Sequence, residues 1–399
     1  MPEPSALAAD ALLDRLADAG RRVVVVAAGG GAAAIPALVA TPGASRVVVE
    51  AIVPYARESV DRWLGGRQES YCSSRAARRL AMMAWQRARS LGAAAETAVG
   101  VAATASLRSR EPKRGDHRVV VAVQSLESTS VATLVLAKDA RSRGEEETVA
   151  AALLLDRLGT HVGGGGPESR PAAASLLDGG GGPALLAGER VEVEAAEPPA
   201  AWRDLLAGTR RCAAAARRQG EQPRPPAPGL LIFPGSFDPL HEGHLRMALI
   251  AEEIAERPLA FELSVANVDK PALDYLELSR RTAQFSDRPL WLTAAATFVE
   301  KLELFPEATF VMGADTFVRL ADPRYYGGSA AAAADAARRI ATGARGLIVF
   351  GRERDGVFAE PARLDVPAPL RDVAYCVSER EFRMDVSSTA LRRQAREDA

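Results

Sequence analysis

GSFDPLHEGH, at residues 235–244, is the most informative part of this sequence for the structure of its second half. It follows the apolar run 230–233 and precedes the helical pattern 245–251, so we predict a strand that turns into a helix. His241 and His244 are three residues apart, which places them on one face of the first helical turn. Two imidazoles, free backbone N–H groups and the positive end of a helix dipole together predict a phosphate site.

This stretch resembles the H-x-G-H signature of the nucleotidylyltransferase superfamily, which follows the first strand of a Rossmann-like parallel sheet. A second stretch, VSSTALR at 386–392, is similar to the I-S-S-T-x-x-R signature of its adenylyl-transferring members. The resemblance implies three catalytic residues, His241, His244 and Arg392. It also implies ATP contacts from both motifs, made by Gly235, Ser236, Phe237, Ser387, Ser388 and Thr389.

Two further strings narrow the resemblance to nicotinamide mononucleotide adenylyltransferase-like proteins. GADT at 313–316 follows a predicted strand at 308–312, and NVDKP at 267–271 follows the second strand of the domain. In plant and other eukaryotic members the matching strings are G-A-D-T and N-A-D-K-P, and F-R-M-D-I-S-S-T matches residues 382–389. The resemblance implies contacts with the acceptor or the nucleotide from Asn267, Lys270, Gly313 and Asp315.

The resemblance covers roughly residues 230–393 and implies adenylyl transfer from ATP to a pyridine mononucleotide. Nicotinamide mononucleotide is the preferred acceptor, the products are NAD and pyrophosphate, and Mg²⁺ is carried with the ATP rather than by a protein metal site. Three alternatives stay open. They are a cytidylyltransferase or another adenylyltransferase with a different phosphate acceptor, a bifunctional deamidase–adenylyltransferase, and a non-catalytic regulator that binds pyridine nucleotides.

The first half alternates helix and strand patterns, with a predicted helix at 9–19 and a buried strand at 23–26. Helix is also predicted at 75–89, and paired strands at 119–123 and 131–136. TPGAS at 41–45 and VPY at 53–55 resemble the CinA C-terminal family, whose active members deamidate nicotinamide mononucleotide. The resemblance implies a CinA-like α/β sandwich.

The CinA-like half differs from the family at the positions of the proposed catalytic residues. Ala28 and Gly29 stand where the family has the proposed nucleophilic Ser and the Cys, and Val60 stands where it has a Lys. The glycine-rich family loop corresponds to VGVAA at 99–103. A methyl group cannot attack an amide, so we predict a domain without deamidase activity. Tyr55 remains from the family pattern, and we predict that it is a packed aromatic.

Length and composition give further predictions about the domains, the ligands and the location of the protein. The chain of 399 residues predicts two α/β domains, at 1–215 and 230–399, joined by a proline-rich linker at 216–229. A net charge of -1 without a basic block gives no reason to expect nucleic acid binding. Three scattered cysteines and the lack of a long apolar run predict a protein of the cytoplasm or nucleus that does not bind membranes. CinA-like domains associate, so the N-terminal domain is compatible with a homo-oligomer.

Overall fold

The computed structural model divides the chain into two compact units. The first unit comprises Met1–Arg203 and a later segment, Asp269–Glu277, and the second comprises Asp204–Val268 and Leu278–Ala399. The structure describes residues 4–111, 113–161, 184–215, 226–354 and 357–382.

This division differs from the predicted domain ranges in two places. Residues 204–215 group with the second unit, because the strand Cys212–Ala214 pairs with Leu290–Thr293 of that unit's sheet. The short segment Asp269–Glu277 groups with the first unit, since its Asp274 forms an ion pair with Arg78. Most of the predicted linker, 216–225, lies outside the described residues.

Valine-rich runs form the sheet of the first unit, because β-branched side chains pack well on a pleated surface that is buried on both faces. Val23 to Val26 are all fully buried, and so are most residues of the third strand. The six strands are β1 Arg22–Ala28, β2 Val48–Ile52, β3 Ala98–Ser106, β4 His117–Gln124, β5 Thr129–Leu136 and β6 Val191–Ala196.

The first sheet has the order β2-β1-β3-β4-β5-β6. Strands β1, β2 and β3 run parallel, and β4, β5 and β6 continue as antiparallel neighbours. The predicted pairing of β4 with β5 is confirmed, with Val121 opposite Ala132. The helices of this half of the chain are α1 Pro4–Asp18, α2 Ala34–Val39, α3 Arg57–Leu64, α4 Ser74–Ser90, α5 Arg143–Thr160 and α6 Ala200–Ala207.

Helices cover both faces of this sheet, which confirms the predicted sandwich. Apolar residues of α1, α2 and α5 form one core with β1, β3 and β4. Helix α4 packs so closely on β3 that a Cβ added at Gly100 would lie 2.1 Å from the carbonyl oxygen of Ala81. Glycine at position 100 therefore lets helix and strand approach closely.

The second unit is built on a seven-stranded sheet. Its strands are β7 Cys212–Ala214, β8 Leu231–Pro234, β9 Leu259–Ser264, β10 Leu290–Thr293, β11 Thr309–Gly313, β12 Gly346–Phe350 and, after the hairpin β13 Arg352–Arg354 and β14 Val357–Ala359, β15 Ala374–Val377. The helices of this half of the chain are α7 Glu242–Ala255, α8 Tyr275–Thr282, α9 Phe298–Leu304, α10 Ala314–Arg319, α11 Ala330–Gly343 and α12 Ala368–Asp372.

The second sheet has the order β15-β12-β11-β8-β9-β10-β7, and every pair is parallel except the edge strand β7. Counted along the chain from β8, the parallel strands stand in the Rossmann order 3-2-1-4-5-6. The predicted Rossmann-like parallel sheet is thereby confirmed. No helix among the described residues is both long and apolar enough to cross a membrane.

Candidate functional site

The switch point of the second sheet lies at β8, because the strands that follow β8 in the chain are added first on one side of it and then on the other. Strand β9 lies on one side of β8, and β11 lies on the other. Helices α7 and α10 begin at the carboxyl ends of β8 and β11, respectively. In open α/β sheets, ligands bind in the crevice at this point, so the predicted motif lies where the fold offers a binding site.

The two motif histidines lie at the beginning of α7. His241 is the N-cap residue, with extended backbone, and His244 occupies the third helical position. Their rings stack with centroids 3.7 Å apart and planes inclined by 24°. The sequence spacing therefore does bring the two imidazoles together at the helix N-terminus.

His244 is held as a neutral imidazole with a defined tautomer. Its Nδ1 accepts a hydrogen bond of 3.3 Å from the backbone N–H of His241, which leaves the proton on Nε2. Burial beside Phe233 and Phe237, with a smaller effect of His241, lowers the pKa of His244 to about 3. At neutral pH this ring is a hydrogen-bond donor through Nε2 and not a cation.

His241 has a buried ring nitrogen that suits it to a ligand. Its Nδ1 has no hydrogen-bond partner among the described residues, and burial lowers the pKa of the ring. Buried polar atoms in native proteins nearly always have a partner. Gly243 leaves room for this ring, since a Cβ there would lie 3.1 Å from its Cε1 and Nδ1.

The loop that leads into α7 is anchored by an aromatic core. Phe237 has a positive φ of 44° and a fully buried ring, which contacts Phe233, Phe261 and Phe285 edge to face. A Cβ at Gly235 would lie 2.4 Å from this ring. Of the predicted ATP contacts, Ser236 is exposed, whereas Phe237 is fully buried.

Asp238 fixes the same loop by charge. Its carboxylate is 5% exposed and pairs with Arg280 and with the buried Arg281, whose Nη2 lies 3.5 Å from Oδ2. Arg281 also donates a hydrogen bond of 2.8 Å to the carbonyl oxygen of Ser236. These arginines were not predicted, although a carboxylate in a buried turn requires a cation.

Gln284 completes this support and was likewise not predicted. Its Nε2 donates to the carbonyl oxygen of Phe237 at 3.0 Å, and its Oε1 accepts from the N–H of Leu240 at 2.7 Å. One side chain thus bridges both ends of the turn. The residues that position the histidines come from α8 and the turn after it, more than 40 positions along the chain.

The other predicted contact residues are placed as follows. Gly313 is the N-cap residue of α10, a Cβ added to it would meet no atom of the described residues within 4 Å, and Asp315 follows in the first turn. Asn267 is exposed in the loop after β9, and Lys270 is exposed in the segment that groups with the first unit. The predicted residues of the second motif, Ser387, Ser388, Thr389 and Arg392, lie outside the described residues.

The first unit has a cavity of about 680 Å³, called here the β1–β3 cavity, at the carboxyl ends of those strands. Ala28 and Gly29 line it at the positions of the expected nucleophile and Cys, and Val60 is a buried lining residue. Tyr55 also lines the cavity and is 71% exposed, so its prediction as a packed aromatic is wrong. It follows β2 in an exposed segment that the apolar pattern did not reveal.

The predicted loop at 99–103 is also wrong. Those residues lie in the interior of β3, and the strand continues to Ser106. The run of small residues pairs with β1 along one side and β4 along the other, so no loop forms there. Strand β3 therefore ends later in the chain than the correspondence with the family indicated. The residues that β3 contributes to the cavity are also later in the chain.

Comparison with known families gives one match, which lies in the second half of the chain. Residues 232–394 match the family model described as cytidylyltransferase-like. The match supports nucleotidyl transfer as the general class of reaction. A search of curated proteins returned no match.

Among solved structures, the chain is similar to CinA superfamily proteins. A competence-damaged protein (CinA) superfamily protein from Enterobacter cloacae has 17% identity and a TM-score of 0.35, covering 41% of this chain and 94% of that one. A competence/damage inducible protein, CihA, from Agrobacterium tumefaciens has 19% identity and a TM-score of 0.33, covering 40% and 95%. The two resemblances predicted from the sequence, CinA-like and nucleotidylyltransferase-like, are the ones that these comparisons return.

Proposed function

We propose that the second unit transfers an adenylyl group from ATP to a pyridine mononucleotide, with nicotinamide mononucleotide preferred, giving NAD and pyrophosphate. The observation that carries this proposal is the stacked pair His241 and His244 at the N-terminus of α7, at the switch point of a Rossmann-ordered sheet. The choice of acceptor rests on the strings at 267–271, 313–316 and 382–389.

The reaction needs alignment and charge neutralisation more than a protein nucleophile. An oxygen of the acceptor's 5′-phosphate attacks the α-phosphorus of ATP, a new P–O bond forms, and the bond to pyrophosphate breaks. His244 donates from Nε2 to a phosphate oxygen, and this hydrogen bond strengthens as charge develops on the leaving group. The fixed tautomer of His244 means that no proton has to move within the ring before it donates.

The remaining roles are proposals that follow the family pattern. Arg392 holds the β- or γ-phosphate, while Ser387, Ser388 and Thr389 contact phosphate or adenine. Asp315 binds ribose or base, and Asn267 and Lys270 face the acceptor, with Lys270 on its 5′-phosphate. Mg²⁺ arrives with ATP, because Mg²⁺ usually keeps several waters and binds substrate phosphates.

The leading alternative is cytidylyl transfer on the same site. The matched family is described as cytidylyltransferase-like, which favours CTP as the competing nucleotide. Both reactions break the same kind of α-phosphorus bond and use the same histidines, so the fold does not choose between them. The choice depends on base and acceptor contacts.

The decisive experiment measures pyrophosphate release by the full-length protein with four substrate pairs. ATP is offered with nicotinamide mononucleotide, with nicotinate mononucleotide and with phosphopantetheine, and CTP is offered with phosphocholine. Each product is identified by chromatography. NAD as the main product supports the proposal, and a CTP-derived product overturns it in favour of the alternative. Tight binding of ATP and mononucleotide without any turnover overturns it in favour of a regulator.

A further inference from the structure

The β1–β3 cavity contains a serine that the expected family chemistry does not use. Ser106 lines the cavity as the last residue of β3. In the parallel pairing of β1 with β3, Ala28 stands opposite Thr104, two residues before Ser106. The cavity therefore has a hydroxyl on the strand next to the one where the family has its nucleophile.

A lysine contacts this hydroxyl directly. The Nζ of Lys113 lies 2.7 Å from the Oγ of Ser106 and 2.7 Å from the carbonyl oxygen of Leu107. We propose that Ser106 and Lys113 form a nucleophile–base pair, and that the β1–β3 cavity hydrolyses a small anionic ester or amide. This activity is separate from nucleotide transfer and uses no residue of the second unit.

The surroundings of Lys113 suit it to act as a base. Burial lowers the pKa of its amine, which brings the neutral form closer to physiological pH, whereas Glu146 acts in the opposite direction. A neutral amine retains two hydrogens and one lone pair. It can therefore donate to the carbonyl oxygen of Leu107 while the lone pair accepts the proton of Ser106.

Cys72 lines the same cavity but is not suited to be the nucleophile. Burial raises the pKa of its thiol. The Sγ lies 3.6 Å from the carbonyl oxygen of Arg118 and 3.8 Å from that of Thr104, two acceptors that favour the protonated thiol. Because the thiolate is the reactive form, the chemistry falls to Ser106.

The cavity wall carries charges of both signs, and its two arginines are the groups that can bind an anionic substrate. Arg57 and Arg67 line the cavity and are exposed, with the Arg57 guanidinium 5.4 Å from the ring centre of Tyr71. The carboxylate of Asp61 is engaged, because it accepts from the hydroxyl of Tyr71 at 2.9 Å and from the N–H of Gln68 at 3.1 Å.

Two further acids, Glu58 and Glu69, also line the cavity, and Glu69 lies 3.8 Å from Arg75. Arginine binds carboxylate and phosphate through a rigid fork, so Arg57 and Arg67 are the groups that recognise the substrate's charge.

The proposed reaction is balanced in two steps. Ser106 Oγ attacks the carbonyl carbon while its proton passes to Lys113, and the leaving alcohol or amine departs with that proton. Water then attacks the acyl-serine ester, Lys113 takes a proton from the water, and Ser106 regains it as the acid product leaves. The reactants are substrate and water, and no oxidant or cofactor is required.

The test uses a fluorophosphonate probe on the full-length protein, because such probes form a covalent bond to activated serines with loss of fluoride. Peptide mapping by mass spectrometry then locates the adduct. We expect it on Ser106 of the unaltered protein. An adduct on another residue, or no adduct, overturns the proposal without depending on any variant, and it leaves the nucleotidyl-transfer assay unaffected.

Three variants separate the base from a structural role. Ser106→Ala should abolish labelling, and Lys113→Arg should slow it on the order of 10²-fold, since arginine keeps a positive donor but does not deprotonate. Ser109→Ala is the matched control, because this exposed serine of the same loop donates to the carbonyl oxygen of Glu111, and it should label normally. Normal labelling of a folded Lys113→Arg protein would overturn the role of Lys113.

The substrate class is tested with two esters of similar length, 4-nitrophenyl hemisuccinate and 4-nitrophenyl butyrate. We expect at least tenfold higher kcat/KM for the anionic ester, on the order of 1.4 kcal/mol. Arg57→Gln should reduce this preference by raising KM for the anionic ester. Equal rates for both esters would contradict an anionic substrate.

Discussion

The hydrogen bond that His244 accepts gives a substitution that separates its chemistry from its structural role. His244→Asn keeps a short acceptor for the N–H of His241 but removes the Nε2 donor. We expect kcat for nucleotidyl transfer to fall by on the order of 10²–10³-fold with little loss of stability. Steady-state assays with thermal unfolding check this, and exposed Glu242→Ala, on the same helical turn, serves as the control. Near-normal kcat in a folded His244→Asn protein would remove His244 from the site.

Two glycines of the predicted site have opposite steric surroundings. A Cβ at Gly235 would lie 2.4 Å from the buried ring of Phe237, whereas one at Gly313 would lie more than 4 Å from every atom in the part of the chain that the structure describes. Gly235→Ala should therefore lower the free energy of unfolding by about 1–3 kcal/mol, because the tightly packed ring must shift. Gly313→Ala should change it by less than about 0.5 kcal/mol. Urea titration of both variants measures the difference, and equal losses would contradict the steric argument.

Gly313→Ala also tests the proposed ligand. Because no described atom lies within 4 Å of a methyl group at Gly313, a ligand bound at the beginning of α10 would contact that methyl group. We expect the variant to raise KM for ATP or the acceptor while the unfolding curve stays unchanged. An unchanged KM would place the ligand away from the beginning of α10.

At the level of elements, α8 supports the loop between β8 and α7 through Arg281. Arg281→Met would remove the buried arginine of the two that pair with Asp238, and it would remove the hydrogen bond to the carbonyl oxygen of Ser236. We expect a loss of about 1.5–3 kcal/mol in stability and a lower kcat, since the loop carries His241. Arg280→Met, the matched control, should cost less than about 1 kcal/mol. The opposite order of these losses, measured by urea unfolding, would contradict the role of Arg281.

The elements that the sequence predicted well are those with long, regular apolar patterns. The strand at 23–26 and the helix at 75–89 were both found, within a few residues of their ends. Strand β7 was missed because Cys212–Ala214 is only three residues long and carries no periodicity. Its position depends on hydrogen bonds to β10, almost 80 residues later, which no local pattern reveals.

The candidate site shows the same limit. The pairing of His241 with His244 follows from helical spacing, so it could be predicted. Arg281 and Gln284 contact the loop because of how α8 packs. The residues next to them in the sequence do not indicate this contact. Asp238 gave a partial indication of these contacts, because an acid in a buried turn requires a cation. The charge of Asp238 does not identify the residue that supplies this cation.

In the molecule as a whole, both units place polar groups at the carboxyl ends of parallel strands. In the second unit this edge holds His241 and His244, and in the first it holds Ser106 beside the cavity. Parallel strands direct their carboxyl ends to one edge, where the following loops converge. The proposed nucleotidyl transfer and the proposed hydrolysis thus use the same architectural feature with different side chains.

Buried histidines make the stability of each unit depend on pH, namely His161 in the first unit and His244, together with His241, in the second. Burial lowers the pKa of His161, the C-cap residue of α5, to about 4, with a smaller effect of Arg21, and the pKa of His244 is about 3. Between those values and 6.5, the unfolded chain binds a proton at each ring and the folded chain does not. Each histidine therefore contributes stability that is complete above pH 6.5 and is lost as the pH falls.

We therefore expect the free energy of unfolding to fall between pH 6.5 and pH 5, where most carboxylates remain ionised. Each histidine contributes at most about 1.4 kcal/mol per pH unit. Urea titrations at pH 7, 6 and 5 measure this slope. His161→Asn should reduce the slope for the first unit and His244→Asn for the second, because asparagine does not titrate, while His241 still contributes in the second unit. If a substitution leaves the pH dependence of the unfolding free energy unchanged in both units, the substituted histidine is protonated in the folded chain. For His244, this result would contradict its assignment as a neutral hydrogen-bond donor in the site.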